Sequence, residues 1–165
     1  MELSIKSFIL VGAVLLTGLS AGFFYAWSVS VIPGTQKISD GSYLESMQSI
    51  NREILNPAFF AVFFGSMVFL FIASAYEFTS NKTAFWLMLF AAIFYAIGTV
   101  GVTALGNVPL NNQLEALSLS ELTQEKAAAF RNFYEMKWNR LHLIRTVFAI
   151  LSLLLATVSL ITNKF

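Results

Sequence analysis

The chain has 165 residues, of which 57% are hydrophobic and 12% are charged, and its formal net charge is +1. Soluble domains carry about 25% charged residues, so this composition is typical of a membrane protein. The near-neutral charge gives no indication of a nucleic-acid partner. Without cysteine, disulfides and thiol chemistry are excluded, and a single histidine excludes metal sites built on two histidines.

Four runs of the sequence lack Asp, Glu, Lys, Arg and His, and each is long enough to cross the hydrocarbon, which takes about 17–25 residues. Strands are not expected, because an open sheet cannot satisfy its backbone in lipid. The sequence therefore predicts an all-α protein, a four-transmembrane-helix bundle that forms a single integral membrane domain over residues 1–165. The predicted spans are about 7–32, 57–76, 84–105 and 143–162.

Four spans place both termini on one membrane face, together with the short connection 77–83. The two long polar connections, 33–56 and 106–145, share the other face. By raw count of basic residues, the positive-inside rule would place the long connections in the cytoplasm. The density of lysines in the short segments instead favours cytoplasmic termini, in the inner membrane of a bacterium. The first run is longer than the apolar core of a secretory signal, about 7–15 residues, which favours a retained helix.

The first long connection is predicted to contain a short amphipathic helix. Ser42 and Glu45 match a capping box, and apolar residues then recur at helical spacing from Tyr43 onwards. Asn56 and Pro57 suit the cap and the first position of the second span.

The second long connection is predicted to begin with a helix break and to end in a helix. The break is expected over residues 106–112, where Gly106 and Pro109 interrupt the helical pattern. Residues 123–162 contain neither Pro nor Gly, so one helix is expected to start outside the membrane and to continue into it. The fourth helix would then extend beyond the membrane.

The chemistry-bearing residues of that last helix share one face. Trp138, His142 and Arg145 lie at positions i, i+4 and i+7, and Asn139 is three residues from His142. A histidine can act as a general base, and an arginine can hold an anionic oxygen. Alternatively, Trp138 is an interfacial anchor and Arg145 extends to the headgroups. Ionisable residues at the edge of a span are costly unless they face protein or water, which favours a functional role.

Further polar side chains are predicted on the same membrane face. Asn107 and Asn111 follow the third span, and Asn51, Arg52 and Asn56 precede the second. Amides both donate and accept hydrogen bonds, so they suit phenol or carbonyl oxygens. Asn also caps helices and forms turns, which is the simpler interpretation for each one taken alone.

Aromatic residues end the first span, among them Tyr25 and Trp27. They suit the wall of a pocket for a flat apolar ligand, although the same residues are often a lipid-facing belt.

Four motifs give the chain a family resemblance, and they are distributed over all four predicted spans or their edges, so the resemblance covers most of the chain. They are the run 21–28, Asn51-Arg52 with 54–57, Gly-Asn-Val-Pro-Leu-Asn over 106–111, and Trp138-Asn139 with His142 and Arg145. The sequence resembles the anthrone oxygenase-like family of small four-helix membrane proteins. The resemblance implies insertion of oxygen into an anthrone, giving an anthraquinone, with no metal or organic cofactor.

The resulting hypothesis is a cofactor-independent oxygenase that acts on an aromatic or phenolic apolar substrate at the membrane edge. His142 would be the base, and Arg145 and Asn107 would hold the enolate oxygen. A carrier of an apolar molecule, or a structural protein of the bilayer, is the alternative, and a homo-oligomer is compatible with the sequence. The candidate substrate-binding residues are Trp138, Asn139, Asn111, Asn51, Arg52, Asn56, Tyr25 and Trp27.

Overall fold

The computed structural model describes residues 4–162, and this part of the chain is helical with no strand. Four of its five helices, all except Asp40–Glu53, are long and apolar enough to cross a membrane. The predicted all-α, four-span integral membrane architecture is therefore confirmed. The helices are α1 Ile5–Thr35, α2 Asp40–Glu53, α3 Pro57–Ser80, α4 Lys82–Glu115 and α5 Gln124–Thr162, and a 3₁₀ turn, Leu119–Glu121, precedes the last.

The helix starts are set by side-chain caps. Asn56 accepts a hydrogen bond from the Phe59 amide, and Pro57 occupies the first turn of α3, as predicted. The capping box predicted at Ser42 is wrong, because Ser39 is the cap and accepts from the Ser42 amide. The earlier start puts Asp40 in the first turn of α2, where the helix dipole stabilises a negative charge.

The predicted helix break over residues 106–112 is also wrong, since α4 continues to Glu115. Two π-helical segments, Tyr95–Gly101 and Thr103–Asn107, precede Pro109. The wider π turn lets the Val108 amide donate to the Thr103 carbonyl, and Pro109 then falls in the first turn of renewed α-helix. A proline is tolerated there because that position needs no intrahelical N–H donor.

Helix α5 is the longest element of the described chain, with 39 residues. At 1.5 Å per residue it is about 58 Å long, which is nearly twice the thickness of the hydrocarbon core. The prediction of one long helix that runs from outside the membrane into it is therefore confirmed. Its outer half gives α2 a surface to pack against.

The bundle has two apolar cores. The first lies between the four long helices and contains small residues together with Leu70, Met88 and Tyr95. The second lies outside the first and joins α2 to the outer parts of α4 and α5, through Tyr43, Leu114, Tyr134 and their neighbours. Helix α2 therefore forms a roof over one end of the bundle.

Arg131 of α5 binds the N-terminal end of α2. Its guanidinium donates to Asp40 at 2.9 Å and to the Ile38 carbonyl at 2.7 Å, and its Nε donates to Glu135. It also lies 4.5 Å from the ring centre of Tyr43. Burial, with a further contribution from the charge of Glu135, raises the pKa of the Tyr43 phenol, which therefore stays neutral in the roof.

Gly98 of α4 allows close contact with α5, because a Cβ at that position would lie 2.0 Å from Cγ of Phe148. A Cβ at Gly22 would meet nothing within 4 Å. We expect Gly98→Ala to lower the free energy of unfolding by about 1–3 kcal/mol through overpacking. Gly22→Ala is the control and should leave the stability unchanged or slightly higher. Thermal unfolding in detergent measures both, and equal midpoints for the two variants would contradict this packing.

Candidate functional site

A cavity of about 420 Å³ lies at the roofed end of the bundle, between α1, α3, α4 and α5 and under α2. Its walls are largely aromatic, with Phe23, Phe24 and Trp27 from α1 and four phenylalanines from α3. Eight of the lining residues are polar, and they are Asn51, Arg52, Thr103, Asn107, Asn111, Asn112, Glu115 and Arg145.

Arg145 is the cation in the interior of this site, with 7% of its surface exposed. Its guanidinium lies 4.7 Å from the ring centre of Phe24 and 5.0 Å from that of Trp138. Within residues 4–162, no carboxylate forms an ion pair with it. A buried charge without a counter-ion is costly. The site therefore presents a positive charge that a bound anion would stabilise.

His142 is buried directly behind Arg145 and Trp138. The Trp138 ring is stacked on the imidazole, with 5.2 Å between the ring centres and 7° between the planes. Nε and Nη2 of Arg145 lie 3.2 and 3.0 Å from Nδ1. Because a guanidinium has no acceptor, Nδ1 must be the unprotonated nitrogen. Nε2 then carries the proton and lies 3.2 Å from the Phe24 carbonyl and 3.0 Å from Ser28 Oγ.

The imidazole does not itself line the cavity. It faces the interior of the protein, with Arg145 and Trp138 between it and the space for a ligand. The hypothesis from the sequence gave His142 direct contact with a substrate. In this arrangement, contact with Nδ1 first requires the guanidinium to move away.

Asn107 lines the same cavity and has an unsatisfied acceptor. It is 1% exposed, and its Nδ2 donates to the Trp138 carbonyl at 3.3 Å. Its Oδ1 is buried and has no hydrogen-bond partner in the described part of the chain. An unsatisfied buried acceptor costs about 1–3 kcal/mol. A ligand with an O–H or N–H donor would relieve that cost.

Asn111 holds the Trp138 ring in place. Its Oδ1 accepts from Trp138 Nε1 at 2.9 Å and from the Tyr134 hydroxyl at 3.0 Å. The Tyr134 oxygen in turn accepts from Nδ2 of Asn51 at 3.2 Å. This hydrogen-bonded chain joins α2, α4 and α5 at the edge of the cavity, so the roof and the aromatic wall are fixed together.

The model of the family described as "Anthrone oxygenase" matches residues 55–155, which is more than half of the sequence. The chain belongs to the anthrone oxygenase family. No curated protein and no solved structure matches it. The matched region contains Asn107, Asn111, Trp138, His142 and Arg145, so the family resemblance seen in the sequence is confirmed over the part of the chain that carries the buried cation.

The other residues predicted for the site of this anthrone oxygenase family member are dispersed. Trp27 lines the cavity, and its ring centre lies 5.8 Å from that of Trp138. Tyr25 is 57% exposed on the outer surface. Asn56 caps α3, Asn139 is half-buried, and neither lines this cavity.

Arg52 stands at the rim of the cavity and pairs with Glu115 across the gap between α2 and α4. Its Nη2 is 2.8 Å from the carboxylate, and both side chains are about half exposed. The hydrogen bond and the charge of Glu115 raise the pKa of Arg52. Since exposed ion pairs contribute little to stability, this pair acts as a positional link between the roof and α4.

Several site residues were not predicted from the sequence. Ser28 contacts His142 and lies in the π-helical segment Trp27–Val31. Thr103 contacts Arg145 and lies in the π-helical segment Thr103–Asn107. Such segments are frequent at functional sites. The spacing of Thr103, four residues before Asn107, is the one signal in the sequence that indicates a shared face.

Tyr134→Phe removes the hydroxyl that joins Asn51 to Asn111. We expect it to lower the free energy of unfolding by about 1–2 kcal/mol, because the half-buried amides of Asn51 and Asn111 lose a partner. Tyr25→Phe deletes the same atom from an exposed tyrosine and should leave stability unchanged. Thermal unfolding of both variants in lipid nanodiscs measures the difference. An unchanged midpoint for Tyr134→Phe would show that this chain of hydrogen bonds does not contribute to stability.

Proposed function

We propose that this protein is a cofactor-independent oxygenase, which converts a ring methylene of an apolar aromatic ketone to a carbonyl. The observation that carries the proposal is the buried Arg145, which has no carboxylate partner and lies in a cavity with aromatic walls. Membership of the anthrone oxygenase family supports the same substrate class.

The cavity suits a flat molecule of about three fused rings. Its volume is within the usual range for small-molecule sites, about 300–1,000 Å³. The phenylalanines of α1 and α3 cover the faces of the rings, and the ligand oxygen is directed to Arg145 and Asn107. The enol form of an anthrone donates its O–H to Asn107 Oδ1, and the enolate accepts from Arg145.

The base is His142, in the tautomer with an unprotonated Nδ1. Arg145 turns from the imidazole to the developing enolate oxygen, and this movement uncovers Nδ1. The substrate C–H bond then breaks, its proton passes to Nδ1, and its electron pair stays in the enolate. Because the substrate oxygen gains its full negative charge only when the proton leaves, the stabilisation by Arg145 is greatest for the charged species.

Dioxygen is the oxidant. The enolate transfers one electron to O₂, the resulting radicals combine to form a C–O bond, and the peroxide takes the proton from His142. Loss of the second C–H proton, with cleavage of the O–O bond, releases water and leaves a carbonyl. The sum is anthrone plus O₂ giving anthraquinone plus water. The apolar walls and α2 keep bulk water from the enolate.

A carrier of an apolar molecule is the second candidate, because it would use the same cavity and the same buried cation. It differs in its chemistry, since it would bind anthrone without any need for a base.

We also propose that the termini lie in the cytoplasm, with the roof on the outer face of a bacterial inner membrane. Because the chain has no cysteine, labelling of single introduced cysteines at the two faces tests this orientation.

Arg145→Met should lower the turnover of anthrone by at least about 100-fold, as loss of a donor to a developing oxyanion does elsewhere. Oxygen consumption and anthraquinone absorbance in nanodiscs measure turnover. Arg140→Met removes an exposed arginine of the same helix and is the matched control. Equal turnover for both variants would reject Arg145 as the anion site.

His142→Gln separates the two roles of the imidazole. The glutamine oxygen can accept from Arg145, but it cannot take up a proton. We expect turnover to fall by about 10²–10⁴-fold, as for the loss of a general base, while anthrone binding under nitrogen persists. A variant that retains full turnover would leave His142 as a positioning residue only, and binding without any turnover in the wild type would favour the carrier.

A further inference from the structure

We infer that the cavity opens sideways into the bilayer, through a gap between α3 and α4, and that its ligand enters from the lipid. The inference rests on the proposed function for its choice of ligand, an apolar molecule dissolved in the membrane. The structural features that support it concern access and do not involve catalysis.

The first feature is that several lining residues of the cavity are exposed. Phe60 and Phe64 of α3, and Ala104 and Val108 of α4, line the cavity, and each of them is exposed. Exposed lining residues lie where a cavity reaches the surface of the protein. These four lie on two neighbouring helices, so they define one gap.

The second feature is the way in which α3 and α4 separate. The two helices are joined through the single residue Asn81, at the end of the bundle away from the roof. From there α3 packs against α4 along Lys82–Phe94 and the following π-helical turn. Ala104 and Val108 come after this zone, where the helices have diverged.

The third feature is that polar bonds bridge the cavity at the roof. Gln48 of α2 donates to the carbonyls of Leu114 and Leu117, and Arg52 pairs with Glu115. Asn51 is bonded to Tyr134 of α5. Among the described residues, these polar bonds thus bridge the roof, where Arg52 and Glu115 form an exposed polar edge of the cavity. The two sides of the gap between α3 and α4 are formed by phenylalanine, alanine and valine.

The depth of the gap also fits the bilayer. Ala104 lies in the uncharged run 84–105, and Phe60 and Phe64 lie in the uncharged run 57–76. An apolar ring system partitions into hydrocarbon, because transfer of apolar surface out of water is favourable. A gap at that depth would admit such a molecule without passage through water.

The test blocks the gap with a label of defined size. The chain has no native cysteine, so Ala104→Cys and Leu105→Cys can each be labelled at one site with a bulky aromatic maleimide. Leu105 is the matched control, because it is 86% exposed, adjacent in sequence and absent from the cavity lining. Anthrone is added under nitrogen to protein in nanodiscs, and its association and dissociation are followed by quenching of Trp27 and Trp138 fluorescence in a Trp86→Phe background.

The label at position 104 should slow both association and dissociation by at least tenfold, and the label at 105 should change neither by more than twofold. A blocked route slows both directions together, whereas a distorted site speeds dissociation. Equal rates for the two labelled proteins, or a faster dissociation for the label at 104, would overturn the inference. Because binding is read without oxygen, failure here is distinct from failure of the oxygenase proposal, which depends on turnover in Arg145→Met.

Discussion

A desolvated guanidinium without a carboxylate partner is the constraint around which this site is organised. Removal of Arg145 from water costs several kcal/mol, and that cost is offset here by neutral groups alone. The faces of Phe24 and Trp138 supply cation–π contacts, and Nδ1 of His142 supplies the acceptor. None of these groups cancels the charge, so the positive field remains available to a ligand in the cavity.

The contrast with Arg131 shows why this arrangement indicates function. Both arginines belong to α5 and both are largely buried. Arg131 has two carboxylates, Asp40 and Glu135, together with backbone carbonyls, and its charge is fully used in holding the roof. Arg145 has no such anion. One helix therefore carries a structural arginine, Arg131, outside the membrane and a second arginine, Arg145, that no carboxylate of the described residues neutralises.

The π-helical segments of α4 determine which of its side chains face α5. Each wider turn shifts the following side chains around the helix axis, and this shift directs Thr103 and Asn107 towards α5. Asn107, whose buried Oδ1 has no hydrogen-bond partner among the described residues, and the buried cation Arg145 then line the same cavity. The π-helical segments therefore bring an unsatisfied acceptor and an unpaired positive charge to one site.

The sequence alone determined the spans, the caps at Asn56 and Pro57, and the long helix α5, because each depends on a local requirement. An uncharged run of sufficient length can cross the hydrocarbon core, and a run without Pro or Gly can continue as one helix. The helical spacing of Trp138, His142 and Arg145 likewise placed three residues on one face. The tertiary structure alone decided that Pro109 continues α4 and that Ser39 caps α2. It also decided which amides reach the cavity and that the imidazole lies behind the guanidinium, since these depend on how separate helices meet in space.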